Sequence, residues 1–533
     1  MTDTKDQIIE KLNNSNAMLL SQLAAANEKI GQLLEKLDTA NTKIAGLTDA
    51  NFNAMEKVTE LLEQIASLNA QLKALQDKQS LDSSNSSKPP STDGLRKPNV
   101  NKDRSLRGSS GKKQGGQPGH KGSTYEENRK PDQIIQHTDA RCNECPHREE
   151  CLGKAKIVET RTVVDAKMVT TVTEHQVVSV KKCPLCHIRL TGKFPEGVNS
   201  KLQYGTNLNA LVVSLGTLGA VSMKRIQEIL GKVFNIPLST GTIDSMLQKA
   251  AGKVASVIDM IGKKLLGCEV THSDETGFRV DGKTRWAHTL CTDKYTLLTL
   301  SDFRGHKGME EAGLLPLYKG INVHDCWASY WKFSGITHAI CNAHILRELN
   351  FVTDNYPEQT WNGKFRGLLL EMKSEKEKAL AEGRQGLSEE LKKKFLTEYD
   401  AIIKLAYKEN PMPANDDGKP AKRGRKKKGK VLSLVERLDT NKASVCLFAM
   451  DFRVPFDNNE AERSLRCIKV KVKVSGCFRT IAGAQEYLDI MSYLSTARKL
   501  GFNGYEAMVK ALHNEACYIF DQASTDTPTG LPA

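Results

Sequence analysis

The feature that most constrains this chain is an unbroken heptad register over residues 9–75. Its a positions are Ile9, Asn16, Leu23, Ile30, Leu37, Ile44, Asn51, Val58, Ile65 and Leu72. Its d positions are Leu12, Leu19, Ala26, Leu33, Ala40, Leu47, Ala54, Leu61, Leu68 and Leu75. A 3.5-residue period lays these side chains along one stripe, which is buried only when another helix covers it. Leu or Ala at every d, with β-branched residues at several a positions, favours two parallel strands. Asn16 and Asn51 would pair across such a dimer and penalise slipped registers. An intramolecular hairpin would need a turn near residues 46–52, where the register runs straight through. The expectation is a parallel dimeric coiled coil over residues 1–78.

The rest of the 533 residues is enough for two or three further units. Apolar residues make up 39%, so long solvated segments must accompany the folded part. Lys and Arg number 77 against 63 acids, a net charge of +14 that makes nucleic acid the leading partner class. The start of the chain is polar, without the pattern of a secretory signal. The greasiest stretch, residues 210–221, is far shorter than the ~20 apolar residues a bilayer requires. Membrane and secreted classes are therefore excluded and a cytoplasmic location is expected. Thirteen cysteines in such a chain read as metal ligands and buried thiols rather than disulfides.

Residues 79–131 abandon the heptads for Ser, Pro, Gly and basic residues, the composition of a flexible linker. Residues 132–195 alternate in a β-like way and carry Cys142-x-x-Cys145 and Cys183-x-x-Cys186 at their two ends. Two such turns joined by a hairpin supply the four thiolates that structural Zn²⁺ prefers, with no open position for chemistry. Cys151, His137, His147 and His187 compete as ligands.

Within residues 202–255, residues 222–234 form an amphipathic helix followed by a short Asn-Ile-Pro-Leu turn. Ser239 or Thr240 then caps a second helix, expected to end near Lys249. This is the outline of a helix-turn-helix, with Thr240 and Thr242 leading the helix that would enter the major groove. Ordinary helical hairpins share that outline. A later run, Lys422-Arg423-Gly424-Arg425-Lys426-Lys427-Lys428, suits a narrow minor groove through Arg423 and Arg425, or is simply a solvated loop.

Three acidic positions stand out. Residues 268–276 read as a strand running into a turn, with Asp274 sharing a face with His272 and Thr276 and Glu275 on the other. Residues 321–325 read as a short strand ending in Asp325. The third group lies in Asp457-Asn458-Asn459-Glu460-Ala461-Glu462-Arg463, at the start of a helix. A lone Asp at a strand end is more often a turn or cap residue. Three acids drawn together need divalent cations, and paired Mg²⁺ ions are what phosphodiester cutting uses.

These motifs resemble the large transposases of bacterial insertion-sequence family sixty-six, over nearly the whole chain. Ser-Ser-Asn-Ser-Ser-Lys-Pro-Pro-Ser-Thr-Asp-Gly at 83–94, Gly-Gly-Gln-Pro-Gly-His-Lys-Gly at 115–122 and the paired Cys-x-x-Cys turns look like that family's. Asp274-Glu275-Thr276, Asp325 with Tyr330, and Asp457-Asn458-Asn459-x-Ala-Glu462-Arg463 resemble its three catalytic motifs, and Cys341-x-x-His344 a further pattern. The resemblance implies a DDE recombinase: an RNase H-like domain over residues 264–510, with a helical insertion at about 350–445 and a C-terminal tail at 511–533. It implies catalysis by Asp274, Asp325 and Glu462 with Mg²⁺ or Mn²⁺, structural Zn²⁺, DNA ends and target DNA as partners, and small accessory proteins. The expected fold class is thus α/β multidomain: coiled coil, zinc-binding β module, helix-turn-helix and RNase H-like domain. A zinc and helix-turn-helix regulator without catalysis is the rival class, and a nuclease without strand transfer shares the same site.

Glu460 and Glu462 are distinguished by helix geometry. Two residues apart is about 200° of rotation, so only one can face the other acids. Ala461, Leu465 and Ile468 mark the buried stripe. Glu462 lies on the flank with Arg466 and Lys469, which suits a phosphate backbone, and Arg463 is expected to be supporting.

Overall fold

The structure, a computed structural model, describes residues 3–79, 193–411 and 429–521, with short stretches between 134 and 191, among them 170–177, 179–180 and 190–191. The chain divides into two compact units, Met1–Asp82 and Ser83–Ala533. The first is a single helix, α1 (Asp3–Gln79), of 77 residues, with no turn at 46–52. Its seam faces water: Leu33 and Leu47, for instance, are 60% and 71% exposed.

The second unit opens with a short antiparallel pair, β1 (Ser179–Val180) and β2 (Leu190–Thr191), which brackets the second Cys-x-x-Cys in sequence. Cys142, Cys145, Cys183 and Cys186 lie outside the described residues, as do Cys151, His137, His187 and the linker at 80–131. His147 is described and exposed. Among the described residues all cysteines are free thiols.

Three helices follow: α2 (Thr206–Gly216), α3 (Met223–Val233) and α4 (Thr240–Leu266). Val212, Ile226, Leu230, Leu238, Ile243 and Met246 give them a small core of their own. Asn235, at φ +54°, turns the chain after α3. Ser239 Oγ accepts from the Thr242 amide at 3.0 Å, capping α4 as its sequence indicated. The expected end near Lys249 is corrected: Val254, Val257, Ile261 and Leu265 prolong the apolar stripe, so α4 runs 27 residues into the main core.

That core surrounds a sheet of β3 (Val270–Val280), β4 (Lys283–Cys291), β5 (Thr296–Ser301), β6 (Ile321–His324) and β7 (Thr337–Ile340), with the short helix α5 (His306–Glu311) after β5. The order is β5-β4-β3-β6-β7; β3, β4 and β5 are antiparallel neighbours, whereas β6 and β7 run parallel to β3. The turn expected around residues 274–276 is absent. Instead β3 continues to Val280 and reverses at Asp281 and Gly282, both at positive φ. Gly277 lets the strand continue because its partner Trp286 lies flat against it; a Cβ there would sit 3.2 Å from the indole.

Helices α6 (Asn342–Asn355), α7 (Trp361–Ala381), α8 (Glu389–Glu409), α9 (Lys430–Thr440) and α10 (Lys442–Met450) form an all-helical excursion after the sheet. Trp361, Phe365 and Tyr399 stack edge to face inside it. The basic run with Arg423 and Arg425 lies outside the described residues. The chain then returns through α11 (Asn459–Ser475) and α12 (Ile481–Lys499), whose Leu465, Ile468, Leu488 and Met491 cover Phe278, Val280, Ala287 and Leu298 of the sheet. Lys471 of α11 reaches the helix trio, donating to the Gly216 and Val221 carbonyls at 2.9 and 3.1 Å. Last come α13 (Gly504–Leu512) and α14 (Tyr518–Asp521). A tail beginning at 511 is thereby corrected, because Ala511, Leu512, Ala516 and Ile519 are buried in the main core. Among the described residues no helix is long and apolar enough to cross a membrane.

Candidate active site

The strand register sets out the first two acids. Asp274 faces Thr289 on β4, and Thr289 faces Leu298 on β5, so Asp274 lies on the side of the sheet that α11 and α12 cover. In the parallel pair, His272 is opposite Val323; two residues further on, Asp325 leaves β6 beside Asp274. Glu275 takes the opposite face with His288 and Thr299. The alternation read from sequence therefore holds.

The third acid arrives on α11, whose start is fastened to β3. Asn458 is buried and does not cap its own helix. Its Nδ2 donates to the Ser273 carbonyl at 2.8 Å, and its Oδ1 meets His272 Nδ1 at 2.9 Å. Its backbone amide donates to Cys341 Sγ at 3.2 Å. Asp457 closes the adjoining turn by accepting from the Asn459 amide. Burial of Ala461, Leu465 and Ile468 then fixes the rotation of α11. Glu462 turns towards the other acids, while Glu460 pairs with Arg463 and Lys499 at 3.1 and 3.3 Å.

Electrostatics tie the three acids together. Burial raises Asp274 well above the usual carboxylate range, and the charges of Glu275, Asp325 and Glu462 push it further. Burial, then Glu275, raises Asp325 to about 6, partly opposed by Arg304. Among the described residues each aspartate accepts only a backbone amide: Asp274 from Glu275 at 2.8 Å, Asp325 from Trp327 at 3.1 Å. Lys469, one flank along α11, senses Asp274 and donates to the Gly277 carbonyl at 3.2 Å. Arg466 is exposed.

Arg304 and Arg347 were not read from the sequence as site residues, and Glu275, Tyr330, Cys341 and His344 entered only as parts of the family motifs. Glu275 is buried behind the pair, accepting from Tyr330 Oη at 2.8 Å and from Arg304 Nε at 3.0 Å. The Arg304 guanidinium lies over Trp327 and Trp286, 4.3 and 5.2 Å from the ring centres. From α6, His344 Nε2 and Arg347 Nη1 approach Glu462 Oε1 at 3.7 and 3.8 Å. Burial pulls His344 down to about 4, so its ring is neutral. The Cys341-x-x-His344 spacing was the available signal: Cys341 holds the Asn458 amide, and His344 lies one turn on, beside Glu462. Among the described residues no three His, Cys, Asp or Glu side chains stand close enough to hold a metal ion.

Acids from two neighbouring strands and a distant helix thus converge in a basic chain. The model of the Transposase IS66 family matches residues 201–486, more than half of the chain and all three acids, so the chain belongs to the IS66 family of transposases. A second match, to a Family of unknown function (DUF6444), covers residues 3–126 and hence α1 and the linker. No curated protein matches the chain.

Proposed function

We propose that this transposase cuts the ends of its insertion sequence by metal-dependent phosphodiester hydrolysis and joins the 3′-OH ends to target DNA. Asp274, Asp325 and Glu462 are its catalytic acids in this reading. The observation that carries it is their convergence: Asp325 and Glu462, the latter nearly 190 positions away in sequence, each raise the proton affinity of Asp274. The mixed sheet, interrupted by helices α6–α10 before the last acid, supports an RNase H-like catalytic domain with a helical insertion.

The donor set fits Mg²⁺ or Mn²⁺, being all carboxylate oxygen and short of countercharge. Bound there, such ions would activate water and stabilise the leaving oxygen. Asp274 holds its oxygens in the middle of β3 and Asp325 just past the end of β6, and Asn458 sets the angle at which Glu462 enters. Lys469, with the exposed Arg466, meets the phosphate backbone on the same flank of α11.

DNA ends are held elsewhere on the chain in this reading. Thr240 and Thr242, at the exposed start of α4, enter the major groove as the second helix of a helix-turn-helix. Arg423 and Arg425 serve the minor groove. Cys142, Cys145, Cys183 and Cys186 bind a structural Zn²⁺. The open seam of α1 pairs two copies as a parallel coiled coil, since each buried Leu contributes about 1.5–3 kcal/mol. Small accessory proteins and a cytoplasmic setting complete the proposal.

The test is incubation of the purified chain with its element's end sequence and Mg²⁺ or Mn²⁺, against EDTA. Metal-dependent nicking at the element boundary, then joining to a target duplex, is expected. Glu462→Gln should bind ends normally and lose cleavage by orders of magnitude, whereas Glu460→Gln should stay within a few-fold of the parent. Binding without any metal-dependent nicking would identify a DNA-binding regulator instead, and nicking without joining a nuclease.

A further inference from the structure

Arg347 is the cation nearest to Glu462, yet their 3.8 Å separation is loose for a guanidinium and a carboxylate. Its Nη1 also lies 3.3 Å from His344 Nε2, and no other partner of Arg347 is found among the described residues. The buried Nδ1 of His344 has no hydrogen-bond partner among the described residues. Two residues one helical turn apart on α6 thus border Glu462 without engaging it fully. The other cations near the acids are engaged: Arg304 is committed to Glu275 by two nitrogens at 3.0 Å, and Lys469, beside Asp274, donates to the Gly277 carbonyl.

We propose that Arg347 is a catalytic residue that contacts the scissile phosphate, and that its pairing with Glu462 is a placeholder for the divalent cation. This inference rests on the carboxylate reading above. In this structure Arg347 and His344 are drawn up beside Glu462 Oε1. A cation that draws Glu462 inwards replaces the positive charge Arg347 supplied. The guanidinium, on a side chain 31% exposed and still anchored on α6, is then free to take two oxygens of a phosphate in the fork geometry that arginine offers and lysine does not. Cation and substrate binding are thereby linked, because each frees the partner the other needs.

The test uses full-length protein with Arg347→Ala and Arg347→Lys, each checked for parental melting. Three quantities are measured: Mn²⁺ affinity without DNA, the salt dependence of binding to a duplex of the element's end, and single-turnover nicking. For Arg347→Ala, Mn²⁺ should bind several-fold more tightly, because a competing cation is gone. The slope of log K against log salt should become shallower by about 0.9, one phosphate contact. Nicking should fall at least ~100-fold, in line with loss of a charged transition-state contact. Arg347→Lys should restore the salt slope and only part of the rate. Weaker Mn²⁺ binding with an unchanged slope would make Arg347 a structural support and overturn the proposal, as would unimpaired nicking. A parent that shows no Mn²⁺-dependent nicking sinks the carboxylate reading and this inference together. A parent that nicks beside an unaffected Arg347→Ala sinks this inference alone.

Discussion

Asn458→Ala removes the side chain that fastens α11 to β3. Two neutral hydrogen bonds are lost, and the Ser273 carbonyl and the His272 ring remain buried without their partner. Orphaning a buried neutral group costs ~1–3 kcal/mol, so the substitution should cost about 2–5 kcal/mol in total. In a body of this size each kcal/mol moves the melting midpoint by about 1–2 °C, so a fall of several degrees is expected. The chemical consequence is larger than the thermal one. Glu462 lies one turn beyond Asn458, and its backbone amide bonds to the Asn458 carbonyl at 3.3 Å. Loss of the anchor at the helix start therefore displaces the acid itself. Calorimetry of the single variants and of His272→Ala/Asn458→Ala should give a coupling energy near ~1 kcal/mol, with end cleavage depressed in both Asn458 variants. Unchanged melting together with unchanged cleavage would refute the claim that this amide sets the position of α11.

Deleting residues 1–82 should leave a chain that sediments as a monomer; a deletion product that remains dimeric would remove the heptads from that role. Cation binding should weaken in acid, since Asp325 titrates near 6 and is largely protonated at pH 5. On that group alone, Mn²⁺ affinity should drop roughly tenfold between pH 7 and pH 5, and the raised Asp274 should steepen the loss. Calorimetric titrations in two buffers would count the protons released, and a pH-independent affinity would contradict the assignment. For the cation-free fold the sign is opposite to that of a salt-bridged acid. The stability Asp325 contributes is complete below its ordinary value near 4 and is lost as pH rises through about 6. Changing Cys142 and Cys183 together to Ser should abolish one bound zinc per chain, measured by atomic absorption; undiminished zinc would move the site to Cys151 and its neighbouring histidines.

Much of the site was legible because the acids sit where periodicity changes. Alternation along residues 270–276 separated Asp274 from Glu275, and the Ala461, Leu465 and Ile468 stripe separated Glu462 from Glu460; both separations hold in the fold. The turn expected around residues 274–276 is replaced by strand that carries on through Gly277, which its cross-strand neighbour Trp286 makes a packing site. Helix α4 was cut short for a similar reason: Lys249 and Gly252 look like an ending until the sheet supplies a surface for Val254 and Val257. The contacts of Glu275 with Arg304 and Tyr330, and of Glu462 with His344 and Arg347, join segments with no common period. Only the closed fold brings them together.

The anchorage of α11 at both ends has a mechanical consequence. Asn458 pins its beginning to β3, and Lys471 pins it to the carbonyls between α2 and α3. Nine residues of helix, about 13 Å, separate Glu462 from that second attachment. An α-helix of this length is stiff along its axis, so α11 behaves as a strut between the helix trio and the acids. A displacement of the α2–α3 corner must break the Lys471 bonds, bend the helix or shift Glu462. Residues 206–239 are consequently not an interchangeable module: a graft that replaces them without matching the two carbonyls would alter the aim of a carboxylate it never touches.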